Sequence, residues 1–80
     1  MRQSSNVGQY ILKCIQDDNS TQREVCLVAD IHTSNLSEII RGTRHLTIPL
    51  ARKLECWLTG FSARQALIIQ LDQDLNHVRK

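Results

Sequence analysis

The residues of this chain with the most reactive or most charged side chains are its cysteines, its histidines and a run of arginines. Cys14, Cys26 and Cys56 are an odd set of thiols without CxxC spacing, so neither a disulfide framework nor a zinc site follows from them. They are expected to be buried free thiols. His32, His45 and His77 are scattered, and no local metal-ligand or nucleophile–base arrangement forms around them. The chain is therefore expected to be no enzyme and to use neither a metal nor a cofactor. Between Arg41 and Lys53 stand Arg41, Arg44, Arg52 and Lys53 without a carboxylate, whereas Asp17, Asp18, Asp72 and Asp74 lie elsewhere. A net charge of +2 is too small to announce a polyanionic partner, so the distribution of charge must carry that argument. One face is expected to be locally positive.

Elements must position these side chains, and the apolar spacing is helical almost throughout. With 80 residues, 41% of them apolar and 22% charged, the chain is expected to fold as one domain, well away from the composition of disordered chains. No apolar run approaches the roughly 18 residues of a membrane span, and Met1 to Ser5 lack the basic-then-apolar start of a secretory leader, so a cytoplasmic location is expected. Five helices are predicted. Val7, Tyr10, Ile11, Cys14 and Ile15 form the stripe of the first. Thr21 and Glu24 make a capping box for the second, in which Val25, Val28 and Ala29 are expected to face the core. Asp30 stands where the chain must enter a left-handed turn. Leu36, Ile39 and Ile40 mark the third helix, stopped by Gly42. Thr47 caps a fourth, with Pro49 in its first turn, Leu50, Ala51, Leu54, Trp57 and Leu58 as its buried stripe, and Gly60 as its end. Ser62 and Gln65 open the last, whose main apolar face is expected at Leu67, Ile68, Leu71, Leu75 and Val78, with Ile69 outside it.

Two short helices joined by a tight turn, the second with small polar side chains opposite its apolar stripe, have the geometry that inserts a helix into the DNA major groove. With Leu36, Ile39 and Ile40 inward, Thr33, Ser34, Ser37, Glu38 and Arg41 project outward and Asn35 lies near the boundary. Thr33 and Ser34, at the helix start, are the best placed for base edges, with Ser37 beside them and Glu38 able to accept from a cytosine amino group. Phosphate contacts are assigned to Arg41, Thr43 and Arg44 at the exit of that helix, to His32 and Asn35 around its start, and to Gln22 and Arg23 in the first turn of the helix before it.

The stretch Thr21-Gln22-Arg23-Glu24, followed by Leu36-Ser37-Glu38-Ile39-Ile40-Arg41-Gly42-Thr43-Arg44-His45-Leu46-Thr47, resembles the lambda-repressor-like, XRE-type helix-turn-helix family. It is most similar to the plasmid-maintenance antidote proteins of the HigA type. Ala51 and Leu54 fit that family's fourth helix, and Ala66 to Leu75 is similar to its closing segment. The chain departs from the family at the turn, where Asp30, Ile31 and His32 replace Gly-Val-Ser. It departs again in the tail, where Gln65 and Ala66 replace an aromatic pair and Gln73 a tyrosine. The resemblance implies an all-α, five-helix DNA-binding domain that works as a homodimer on double-stranded DNA. It further implies a palindromic operator, repression of the chain's own promoter and, in antidote members, sequestration of a small ribonuclease toxin. Ile68 and Ile69, apolar on two sides of the last helix, are the expected dimer contacts. The alternatives are an interaction module that kept this fold and lost DNA affinity, and a phage-type repressor with no toxin partner.

Overall fold

The computed structural model describes residues 6–78, with side chains through residue 75. The expectations for Met1 to Ser5, His77 and the Val78 side chain lie outside the described residues. Five helices are present, α1 (Asn6–Asp17), α2 (Gln22–Ala29), α3 (Thr33–Arg41), α4 (Ile48–Trp57) and α5 (Ala63–Val78), and there is no strand among the described residues. None of the helices is long and apolar enough to cross a membrane.

The helix boundaries follow from local chemistry. Thr21 Oγ1 accepts the Glu24 amide at 3.1 Å while Glu24 Oε1 accepts the Thr21 amide at 2.9 Å, which completes the capping box. Left-handed residues stop the first three helices: Asn19 (φ 59°), Asp30 (φ 58°) and Gly42 (φ 91°). At Asp30 the chain turns while its own amide and that of Ile31 both donate to the Cys26 carbonyl, and Ile31 folds into the core behind it. Gly42 and Thr43 likewise donate to the Glu38 carbonyl, a closure that needs a positive φ and so suits glycine. Thr47 Oγ1 accepts the Leu50 amide, with Pro49 in the first turn of α4 where no helical amide is missed.

The core is formed by all five helices, with Ile11, Leu36, Ile39, Leu54 and Leu58 almost fully buried. Helix α1 packs against α3 and α5, while α4 packs against α2 and α5. At Gly8 the backbones of α1 and α3 come so close that a Cβ would collide with the Ile40 carbonyl group.

Five expectations about burial or boundaries are corrected. Because α2 is wedged against α1, α3 and α4, its buried arc is Val25, Cys26 and Ala29, and Val28 is exposed. Helix α4 ends at Trp57, three residues before Gly60, because Leu58 turns to extended backbone and drops into the core. Trp57, expected to be buried, is left more than half exposed. Cys56 is exposed too, unlike the buried Cys14 and Cys26. Helix α5 presses its small residues, Ala63 and Ala66, and half-buried Ile69 to the core, while Ile68, Leu71 and Leu75 are exposed. Of its expected apolar face, Leu67 also packs partly against the core, and Ile68, Leu71 and Leu75 are left on the surface.

Candidate functional site

The first turns of α2 and α3 open on the same surface. Gln22 and Arg23 of α2 line one shallow groove with Thr33, Ser34 and Ser37 of α3. The juxtaposition follows from the turn at Asp30, because three linking residues leave α3 no choice but to begin beside α2. Thr33 and Ser34 are exposed, Asn35 and Ser37 are half-buried at the margin, and Leu36, Ile39 and Ile40 hold the opposite side of α3 in the core. His32 is the residue before α3, but its imidazole makes no cap. No side chain among the described residues caps the first-turn amides of α3.

At the far end of α3 the charges are paired. Arg44 Nε donates to Glu38 Oε1 at 2.8 Å, so the carboxylate expected to point at a base and the guanidinium expected to point at phosphate hold one another. The Thr43 hydroxyl donates to the Glu38 carbonyl at 3.2 Å, which orders the loop on which Arg44 stands. Arg41 is exposed and makes no ion pair among the described residues. The basic run does not form a single face. Arg52 lines a groove between α4 and α5, and Lys53 Nζ donates to the Asp30 carbonyl at 3.3 Å, which puts a cation at the α2–α3 turn.

Three contacts that periodicity does not reveal clamp the loop after α3 onto α5. The Leu46 amide donates to Gln70 Oε1 at 2.7 Å, and Gln70 Nε2 returns a bond to the Leu46 carbonyl at 2.8 Å. His45 Nε2 lies 3.1 Å from Asp74 Oδ2. Gln70 and Asp74 lie one turn apart on a helix, and polar residues at that spacing are the only signal the sequence carried.

Of the two expected dimer contacts, Ile68 is exposed and Ile69 packs partly against the core. Leu71 and Leu75 continue the exposed surface that Ile68 begins. Leu67, Ile68 and Leu71 line the groove against α4 together with Arg52, Glu55 and Arg64.

Titratable groups follow their surroundings. Burial pushes the Cys14 and Cys26 thiols and the Tyr10 phenol upward. Hydrogen bonds from Ser20 and then Thr59 hold the Asp18 carboxyl below the ordinary carboxylate range. The described residues contain no group of three His, Cys, Asp or Glu that would hold a metal ion. Comparison with family models, curated proteins and solved structures gave no match.

Proposed function

We propose that this chain is a sequence-specific DNA-binding repressor in which α2 and α3 form a helix-turn-helix and α3 enters the major groove. The observation that carries the reading is the shared groove, in which Gln22 and Arg23 meet Thr33, Ser34 and Ser37. Short hydroxyls at the start of an exposed helix permit close approach to base edges, while the first turn of the preceding helix crosses the phosphate backbone. Arg41, which makes no ion pair among the described residues, supplies a further cation at the exit of α3. Within this reading the fold is lambda-repressor-like, and the exposed stripe of α5 pairs two copies on a palindromic operator whose half-sites lie about 34 Å apart. The resemblance to HigA-type antidotes extends the proposal to an autorepressing antitoxin whose second partner is a small ribonuclease.

The test is titration of a labelled fragment of the chain's own promoter at two salt concentrations, against an unrelated duplex as competitor. Specific retention that weakens with salt supports the repressor. Arg41→Ala is then expected to weaken all sequences alike, whereas Thr33→Ala or Ser34→Ala changes the preference among them. A folded protein that retains no duplex over competitor favours the second reading, an interaction module. That alternative draws its support from the Glu38–Arg44 pair, which neutralises an arginine at the exit of α3.

A further inference from the structure

Apart from the α5 stripe, a second group of large apolar side chains is exposed, where the outer side of α2 meets the end of α4. Leu27 is 82% exposed, and Val28 and Trp57 are each more than half exposed. The three line one groove, whose remaining wall is the α1–α2 turn with Asp18 and, on α2, Glu24. We infer that this groove docks a segment of a different protein, one that presents an apolar anchor side chain next to a lysine or arginine.

Leu27, the most exposed apolar residue of the site, contributes little to the fold. Leu27 is turned away from the arc formed by Val25, Cys26 and Ala29, and a polar residue there would leave the core unchanged. A half-exposed tryptophan beside a leucine and a valine is the kind of cluster in which binding energy concentrates once a partner excludes water from it.

The charged half selects the occupant. Asp18 and Glu24 are the ionisable residues lining the groove, and no cation lines it. Both carboxylates are fixed in place: Asp18 accepts from Ser20 Oγ at 2.8 Å and from Thr59 Oγ1 at 3.0 Å, and Glu24 accepts from the Thr21 amide. Asp17, by contrast, leans toward Lys13. Two anchored acids repel nucleic acid phosphates. They also disfavour a symmetric pairing of two copies through this groove, because each copy would bring the same two carboxylates and no cation to the interface. A cation on a foreign segment meets them instead. Leu27 also borders the groove formed with Arg23, His32 and Thr33, so an occupant sits beside the start of α3.

The experiment selects short random peptides by display on the full chain and measures their binding through the emission of Trp57, the single tryptophan. The selected peptides are expected to share an aromatic or aliphatic residue close to a lysine or arginine and to shift Trp57 emission to the blue. They are expected to bind Leu27→Ser and Asp18→Asn roughly tenfold more weakly and Ile68→Ser unchanged. Far-UV circular dichroism checks that each variant is folded, and Val28→Thr substitutes for any that is not. Failure to enrich such peptides, selection of acidic ones, or binding that survives Leu27→Ser and fails in Ile68→Ser overturns the inference. So does a fall in self-association on Leu27→Ser, measured by sedimentation, since the occupant would then be a second copy.

Discussion

Glu38 and Arg44 neutralise one another at the exit of α3, and replacing Glu38 by glutamine separates their effect on folding from their effect on DNA. The side chains are 35% and 51% exposed, so the pair gains little in the free protein, on the order of 0–1 kcal/mol. For a domain of this size that corresponds to a melting shift of at most about 4–8 °C. The effect expected on DNA is of similar size and has the opposite sign. On the proposed docking, Arg44 of the parent protein brings almost no net charge to the DNA backbone; in Glu38→Gln it becomes free to displace one counterion. The slope of log K against log salt then steepens by about 0.9. Across a fourfold range of salt, from about 50 to 200 mM, that is roughly 3.5-fold of additional salt sensitivity. Affinity at low salt is expected to rise for every duplex, cognate or not, and the ratio of specific to unspecific binding is expected to fall. Fluorescence anisotropy of labelled duplexes across a salt series reads both quantities. An unchanged or shallower slope in Glu38→Gln would show that the pair does not restrain Arg44. A loss confined to one base position would instead show that Glu38 reads cytosine directly.

Ile68→Asp is expected to convert a dimer to a folded monomer in sedimentation and to weaken operator binding, because a charge is placed on the exposed stripe of α5. A dimer that persists would remove α5 from the interface. Gly8→Ala is expected to cost about 3 kcal/mol or more in urea unfolding, since the added Cβ meets backbone, which cannot move aside as a side chain does. A loss below about 1 kcal/mol would mean that α1 and α3 separate easily. Of the thiols, Cys56 is expected to react rapidly with a disulfide reagent at mild pH, while Cys14 and Cys26 react only on unfolding, as burial keeps them protonated. Rapid reaction of all three would contradict the packing. Stabilisation from Asp18, whose carboxyl is held low in the folded state, is expected to be present above the ordinary carboxylate range and to fade as pH falls through the lowered value. Asp18→Asn removes that part of the acid transition.

What the sequence determined by itself is what short-range chemistry controls. The helical stripes of α1 and α3, the Thr21–Glu24 box, the left-handed positions at Asp30 and Gly42, and the Thr47 cap each depend on residues within one or two turns of one another. All were legible. The exposed side of α3 was legible for the same reason, because the burial of Leu36, Ile39 and Ile40 leaves Thr33 and Ser34 outside. Only the tertiary structure decided which side of an ambiguous helix is buried. Helix α5 is apolar on more than one side, and the packing of both α1 and α4 against it favours Ala63 and Ala66 over the bulkier Ile68 and Leu71. The same holds for Val28 and Trp57, which periodicity places inside and which the directions of the neighbouring helices leave exposed. Pairings between distant residues, Gln70 with Leu46 and Asp74 with His45, carry no local signature, since a glutamine that clasps a backbone reads in sequence like one that faces water. Even Glu38 and Arg44, six positions apart, were legible only as separate surface charges. Their mutual neutralisation depends on the turn at Gly42, which folds the loop back along α3.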